Sequence, residues 1–162
     1  MDQPRASSPF HLMIKPVGAD CNLACEYCYY RGKRSLYPGS DFRMADEVLE
    51  QATRAYLRAN PAPEVVFGWQ GGEPLLAGLD FYRRAVALQA ECADEGQRVS
   101  NTLQTNGTLL DEEWCEFLRE HGFLVGLSLD GPRAAHDAYR RDPTGGPTFD
   151  RVMTAARMLK ET

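Results

Sequence analysis

The sequence has little that would direct the chain to export, to a membrane or to nucleic acid. Its apolar runs fall well short of the roughly 18 residues that a membrane helix needs. The first residues, MDQPRASSPF, lack both the basic start and the apolar centre of a secretion signal. The formal charge is -5 and the basic residues are scattered, which argues against a nucleic-acid surface. We therefore expect a cytoplasmic protein with neither nucleic-acid nor membrane partners.

Cysteine is scarce and odd in number. The five cysteines are better explained as ligands and core thiols than as disulfides, because no export signal precedes them. Cys92 and Cys115 lie on predicted helices and are expected to pack in the core. The other three fall within the stretch CNLACEYCYY, and nothing nearby supplies the fourth ligand of a closed zinc site.

Three cysteines on one short loop suit the chemistry of an iron-sulfur centre. Three thiolates can hold three irons of a 4Fe-4S cube and leave the fourth iron open to a small molecule. A zinc site completed by a distant histidine is the alternative. We expect the three histidines to be structural instead, since none lies near the cysteines in the sequence: His11, His121 and His136.

The rest of the chain has the composition and the apolar pattern of one α/β domain. Its 162 residues are 43% apolar and 25% charged, which is typical of a globular protein with a sizeable core. Short apolar runs predict four strands, at 10–17, 64–70, 99–105 and 123–129. Helical periodicity separates them, so parallel strands with right-handed crossovers are expected, in an open sheet or part of a barrel.

Four helices are predicted in the intervals. The third begins at Asp111, a favourable N-cap, and stops at His121-Gly122, while the fourth begins near Thr148. The first two are defined by apolar faces, which consist of Val48, Leu49, Ala52, Ala55 and Tyr56 in one and Phe81, Ala85, Leu88 and Cys92 in the other.

A distinctive cluster follows each predicted strand. The cysteine loop comes after the first, and QGGEP, QTNG and SLDGP come after the other three. In parallel α/β architectures the ligands gather at the carboxyl ends of the strands, so these clusters are expected to share one rim. The connection from Val17 to about Phe42 is far longer than the roughly 2–6 residues usual in such units, and we expect it to wrap a metal centre.

These motifs together resemble a known family. The pattern C-x-x-x-C-x-x-C with Tyr27 before its last cysteine, followed by GGEP, resembles the radical S-adenosylmethionine (SAM) superfamily. More narrowly, IKPVGADCNLACEYCYY, WQGGEPLLAGLDFY, LQTNGTLLDEEWCEFL and FLVGLSLDGP resemble the anaerobic sulfatase-maturating enzymes, from about Phe10 onward. The resemblance implies an α/β fold, a partial (βα) barrel of about four units with parallel strands, formed by one radical SAM core over residues 1–162.

The resemblance also implies the chemistry. A 4Fe-4S cluster and S-adenosylmethionine would generate a 5'-deoxyadenosyl radical that oxidises a cysteine or serine of an unfolded sulfatase polypeptide to Cα-formylglycine. The electron would come from a donor such as flavodoxin or ferredoxin. A maturase that cross-links a ribosomal peptide is an alternative, because it shares CxxxCxxC and GGEP. A catalytically inactive iron-sulfur or zinc-binding fragment is another.

Site residues follow from the resemblance, position by position. The cluster ligands are Cys21, Cys25 and Cys28. Tyr27 is expected against the adenine, Gly71, Gly72 and Glu73 at the methionyl ammonium, and Ser128 and Arg140, or alternatively Arg141, at the ribose and methionyl carboxylate. Tyr30, Gln70, Gln104 and Asn106 are expected to line the pocket and meet the peptide, although Asn106-Gly107 is also a common turn. Asp130 is expected to cap the turn at Gly131-Pro132.

The sequence departs from the family in one respect. Members normally continue with further barrel units and a cysteine-rich, SPASM-like domain that holds auxiliary clusters. After Cys115 this chain has no cysteine. The expectation is therefore a core domain that is incomplete at its C-terminal side, with the auxiliary domain absent and no catalytic base assigned.

Overall fold

A single parallel sheet organises the chain, which a computed structural model describes over residues 5–39 and 41–161. Its strands are β1 (Leu12–Ile14), β2 (Glu64–Trp69), β3 (Arg98–Thr105) and β4 (Leu124–Leu127), paired in the order β1-β2-β3-β4. Every neighbouring pair is parallel, as the alternation of strands and helices predicts. The expected domain, 1–162, includes residues 1–4, 40 and 162, which lie outside the described residues.

Within the described residues, five α-helices connect and follow the strands. They are α1 (Asp46–Ala59), α2 (Leu79–Cys92), α3 (Glu112–Glu120), α4 (Arg133–Tyr139) and α5 (Phe149–Glu161). The predicted N-cap is confirmed, because the Asp111 carboxylate accepts a hydrogen bond from the backbone N–H of Trp114 at 2.9 Å. The short α4 was not predicted. Across 5–39 and 41–161, none of the helices is both long and apolar enough to cross a membrane.

The core occupies one face of the sheet. Phe67 and Trp69 of β2 are buried there against helix residues such as Tyr82. Side chains on the opposite face are open, and Leu124 of β4 is 72% exposed. Parallel sheets normally bury both faces, and a barrel does so by curving its inner face around a closed centre. One covered and one open face is the arrangement of a barrel segment, which agrees with the predicted partial (βα) barrel.

In two helices the buried face differs slightly from the apolar face that the sequence predicted. In α1, Val48 is exposed and Thr53 is buried, so the predicted apolar stripe is only partly correct. In α2, Gln89 is buried because its side-chain amide exchanges two hydrogen bonds of 2.9 Å with the amide of Asn101. A polar side chain whose hydrogen bonds are all made can be buried at little cost, and apolar periodicity cannot identify it.

Candidate cofactor site

The long connection after β1 lies across the carboxyl ends of the other strands. It is closed at its base, where the N–H of Met44 donates to the carbonyl of Pro16 at 2.8 Å. One of its sides is tied to the end of β2, where the N–H of Gly72 donates to Gly18 O and that of Glu73 to Asp20 O, at 2.9 and 2.7 Å. The loop is therefore fixed to the sheet in the immediate neighbourhood of the first cysteine.

The three predicted ligands surround one cavity, which we call the cysteine cavity. Its volume is about 170 Å³, and Cys21, Cys25 and Cys28 all line it. The N–H of Cys28 donates to Cys25 O at 3.2 Å, so these two cysteines are the first and last residues of one turn. Burial raises the pKa of Cys21 to about 11. It also raises the pKa of Cys25, although the nearby Arg140 guanidinium opposes that shift.

The three thiols are of the ligand type that an iron-sulfur cluster takes. Within 5–39 and 41–161, no three His, Cys, Asp or Glu side chains converge closely enough to hold one metal ion. A cube presents separate iron corners, so its thiolate ligands do not have to meet at a point, and soft thiolates are the ligands such clusters take. Thiols with raised pKa values give up their protons when they bind metal, which stabilises the thiolate form.

The glycine pair after β2 allows the two loops to approach. Gly71 has φ +128°, and a Cβ there would lie 2.8 Å from the carbonyl oxygen of Gly18. A Cβ on Gly72 would overlap the backbone carbonyl of Asp20, directly before Cys21. Both glycines are thus required for the packing of the cysteine loop. Their predicted contact with the methionyl ammonium stays a prediction.

Glu73 is fully buried and bonded to the fold. Its Oε1 accepts hydrogen bonds from the Thr105 hydroxyl at 2.7 Å and the Leu75 N–H at 3.1 Å, and its Oε2 accepts from the Asn106 N–H at 2.8 Å. Burial raises the pKa of Glu73, and the three hydrogen bonds oppose the shift. The carboxylate therefore joins the ends of β2 and β3. Its expected role toward the ammonium stays a prediction.

Asn106 is committed to its own turn and to the cysteine loop. Its Oδ1 accepts from the N–H and hydroxyl of Thr108, at 2.9 and 2.8 Å. Its Nδ2 donates to Asn22 Oδ1 at 2.9 Å and lies 3.8 Å from Cys21 Sγ. These contacts support the turn interpretation over the peptide contact. Asn22 also donates to the Thr108 hydroxyl at 2.8 Å, so a second amide fixes the loop to the end of β3.

A carboxylate, a phenol and a guanidinium form a network on the other side of the cysteines. Asp130 accepts a hydrogen bond from the Tyr27 hydroxyl and lies 3.0 Å from Arg140 Nε. The guanidinium of Arg140 also lies over the Tyr27 ring, 5.5 Å from its centroid. The prediction that Asp130 caps its turn is wrong, because Tyr27 and Arg140 occupy its carboxylate. Arg141 instead donates from Nε to Asp137 O and is exposed, and the expected contact of Arg140 with the cofactor stays a prediction.

The end of α4 supports this network. The N–H groups of Ala24 and Glu26 donate to the carbonyls of Arg141 and Tyr139, at 2.8 and 3.0 Å, and so attach the cysteine loop to the α4 end. His136 is buried beneath, and its Nε2 lies 3.0 Å from the Thr148 hydroxyl. Burial lowers the pKa of His136, which fits the expected structural role of a neutral imidazole.

The remaining predicted residues lie around the same rim. Gln104 is exposed and donates to the Ser128 hydroxyl at 3.0 Å, and its expected contact with the peptide stays a prediction. Gln70 follows β2, and its N–H donates to Ile14 O at 2.9 Å. Tyr30 lines the cysteine cavity. The expected core positions are also observed, since Cys115 is buried and Cys92 packs against the core.

Sequence inspection missed two residues that hold the cysteine loop, Asp20 and Asn22, and it gave a third, Asp130, a different contact. Asp20 accepts the Glu73 N–H through its backbone, and its carboxylate lies 2.7 Å from Arg34 Nη1. Asn22 and Asp130 make the contacts described above. Asp130 stands out by its position at a strand end, but its partner Tyr27, like the partners Thr108 and Asn106 of Asn22, lies far away in the chain.

Comparison with known proteins agrees with this geometry. The model of the Radical SAM superfamily matches residues 16–162. The chain is 48% identical over 156 residues to the serine-type anaerobic sulfatase-maturating enzyme of Bacteroides thetaiotaomicron, covering 96% of this chain and 37% of that protein. It is 43% identical over 157 residues to the cysteine-type enzyme of Clostridium perfringens, covering 94% of this chain and 41% of that protein.

A solved structure gives the same result for the fold. Native anSMEcpe with bound AdoMet and Cp18Cys peptide superposes with a TM-score of 0.85 at 43% identity, over 94% of this chain and 40% of that one. The partial barrel is therefore of the radical SAM type. The chain spans about two fifths of the length of the curated relatives named here.

Proposed function

Because the chain belongs to the radical SAM superfamily, we propose that it binds a 4Fe-4S cluster through Cys21, Cys25 and Cys28, with S-adenosylmethionine beside it. The observation that carries the proposal is the single cavity lined by all three thiols at the strand ends. Together the reduced cluster and S-adenosylmethionine supply a 5'-deoxyadenosyl radical. The cytosolic location and an electron donor such as flavodoxin or ferredoxin belong to the same proposal.

The chain's own residues have separable tasks in this scheme. Arg140, whose Nε lies 3.0 Å from Asp130, carries a planar guanidinium that matches the methionyl carboxylate. Ser128 supplies a hydroxyl on the same rim. The exposed ring of Tyr27, oriented by Asp130, offers a stacking surface for adenine. The contact of Gly71, Gly72 and Glu73 with the methionyl ammonium belongs to the same proposal, with Glu73 also holding the ends of β2 and β3 together beneath the site.

The substrate we propose is a cysteine or serine side chain of an unfolded sulfatase polypeptide, which is oxidised to Cα-formylglycine. The support is 43–48% identity to enzymes named for serine-type and cysteine-type sulfatase maturation. Tyr30, Gln70 and Gln104 remain the candidates for peptide contacts, since they lie on the rim. We assign Asn106 to fixing the loop.

Anaerobic reconstitution of the full chain with iron and sulfide tests the cofactor proposal. Bound iron, visible absorption and dithionite-dependent release of 5'-deoxyadenosine from S-adenosylmethionine would be measured. We expect Cys28→Ala to lose the cluster and the product, whereas Cys92→Ala keeps both, because Cys92 packs against the core away from the cysteine cavity. Equal iron and product from Cys28→Ala and the parent would exclude the proposed ligands.

The substrate is tested separately by offering sulfatase peptides with cysteine or serine at the modified position. Formylglycine, detected by mass, is the expected product. A cross-linked ribosomal peptide with no formylglycine would favour the alternative maturase. A stable cluster without cleavage of S-adenosylmethionine would indicate a passive iron-sulfur module.

A further inference from the structure

A second, larger cavity lies beside the cysteine cavity, between the segment after Cys28 and the start of α1. We call it the aromatic groove. It has a volume of about 670 Å³, and its lining includes Tyr29, Tyr30, Leu36, Tyr37 and Val48. Tyr29 is 73% exposed, and Leu36 and Tyr37 are each 62% exposed. Apolar and aromatic side chains grouped on a surface in this way mark an interaction site more often than isolated ones do.

The charge of the groove is opposite to that of the chain. Among the described residues, every charged side chain that lines it is basic: Lys15, Lys33 and Arg43. The sequence from 29 to 39 contains Arg31, Lys33 and Arg34 and no acidic residue, in a chain of formal charge -5. A negatively charged partner would be repelled by the molecule as a whole and attracted at this place.

Three of these basic side chains remain accessible to a partner, since Lys15 and Arg31 are exposed and Lys33 is half-buried. Arg34 pairs with Asp20 at 2.7 Å, and both Arg43 Nη atoms donate to the carbonyls of Leu76 and Ala77. Arg31 is exposed, and the Lys33 ammonium lies 4.8 Å from the centroid of the Tyr29 ring. The acidic residues Asp46 and Glu47 belong to the first turn of α1. Lys33 lines the groove and Arg31 lines the adjoining cysteine cavity, so the two basic side chains lie where the two cavities meet.

The groove adjoins the proposed cluster site directly. Ala19 and Tyr30 line both the aromatic groove and the cysteine cavity. The Arg31 N–H donates to Cys28 O at 3.1 Å, so the basic segment begins at the last cysteine. A protein seated in the groove would be separated from the cysteine cavity by about one side chain. Short separation is what electron transfer requires, because its rate falls steeply with distance.

We propose that the aromatic groove, with Arg31 and Lys33, is the docking surface for an acidic protein that delivers single electrons to the cluster. In each encounter the donor loses one electron and the cluster gains one, and no bond forms or breaks. Transient redox partners bind through small surfaces, below about 1,200 Å², so a patch of this size suits them. The inference rests on the proposed function, because only a bound cluster would need an electron here.

The test compares two double charge reversals in the full, reconstituted chain. Arg31→Glu with Lys33→Glu changes the groove, and Arg58→Glu with Arg119→Glu makes the same change of net charge on exposed positions of α1 and α3. Reduced flavodoxin, an acidic flavoprotein, is the probe. Its affinity is measured by titration at low and high salt, and cluster reduction is followed by bleaching with flavodoxin or with dithionite.

We expect the groove variant to bind flavodoxin at least about tenfold more weakly at low salt, and to be reduced correspondingly more slowly by it. Dithionite, which needs no docking surface, is the reference for each variant, because Arg31 lines the cysteine cavity and its reversal can act on the cluster itself. The ratio of the flavodoxin rate to the dithionite rate should fall in the groove variant alone. Equal flavodoxin affinity in the two variants would overturn the proposal. It would also be overturned if the groove variant lost affinity for a sulfatase peptide and none for flavodoxin.

The affinity titration keeps this inference separate from the proposed function. Flavodoxin binding that depends on Arg31 and Lys33, in a chain that never cleaves S-adenosylmethionine, would support the docking surface and refute the proposed catalysis. Normal cleavage with dithionite, combined with flavodoxin binding that ignores the groove, would do the reverse.

Discussion

Two carboxylates stand at the strand ends on either side of the cysteines, and they are held in different ways. Glu73 is completely buried and accepts only neutral donors, from Thr105, Leu75 and Asn106. Asp130 is partly exposed and faces a phenol and a guanidinium. Burial raises the pKa of Glu73. Burial would also raise that of Asp130, but hydrogen bonds from Tyr27 and Arg140 outweigh it and lower the pKa.

The two carboxylates should therefore respond differently to substitution, although both lie at the carboxyl ends of the strands. The Glu73 side is part of the packed fold, so changes there should be measured mainly as loss of stability. The Asp130 side orients exposed side chains at the proposed cofactor site, so changes there should alter the site while the fold survives. Three substitutions test this division.

Glu73→Ala should have the largest effect on stability. It leaves three buried donors without an acceptor and a small cavity, so the free energy of unfolding should fall by about 4 kcal/mol. Urea denaturation measures this loss. Glu64→Ala is the matched control, because Glu64 forms a surface pair with Arg98 and should cost under about 1 kcal/mol. If Glu73→Ala and Glu64→Ala lowered the free energy of unfolding by similar amounts, the buried hydrogen bonds of Glu73 would not stabilise the fold as proposed.

Gly72→Ala should follow, with a loss of about 3 kcal/mol, because its new Cβ overlaps the Asp20 backbone and displaces the residue before Cys21. Gly122→Ala is the control: its Cβ would enter open space, and only the φ of +62° costs energy, about 1 kcal/mol. Thermal unfolding ranks the two. If Gly122→Ala proved the more harmful, the close approach of the two loops would not matter.

Asp130→Asn should have the smallest effect on stability, under about 1 kcal/mol, because its ion pair is partly exposed. It should change Tyr27 instead. Burial and the hydrogen bond to Asp130 raise the pKa of Tyr27 to about 12, from an ordinary 10.0. Without the carboxylate that pKa should move down toward the ordinary value, which an ultraviolet titration shows against Tyr27→Phe as the non-titrating reference.

The pH dependence gives the sign of this last effect. A phenol with a raised pKa contributes stability that is complete below about pH 10 and is lost as the pH rises toward about 12. In Asp130→Asn the pH range over which this stability is lost should be narrower, because the pKa of Tyr27 lies closer to its ordinary value. The lowered pKa of Asp130 itself acts at the opposite end, where its contribution is present above about pH 3.8 and lost as the pH falls. An unchanged Tyr27 titration in the variant would mean that the network does not orient this side chain.

Particular elements show where sequence reasoning succeeded and where it failed. All four strands and the cap at Asp111 were predicted, because apolar periodicity and capping are local properties. The helix α4 was missed, since its seven residues include one buried side chain, His136, and so carry no apolar period. Thr53 and Gln89 were missed as core residues because their burial depends on the contacts that surround them.

The sequence alone determined that the cysteines and the three other motifs share one rim, since parallel strands joined by helices place all their carboxyl ends together. Tertiary structure alone decided which of those side chains touch. Tyr27 and Asp130 are 103 positions apart, and Asn106 and Asn22 are 84 apart. Contacts between residues this distant along the chain depend on how loops of different length pack over the sheet, and no local pattern records that.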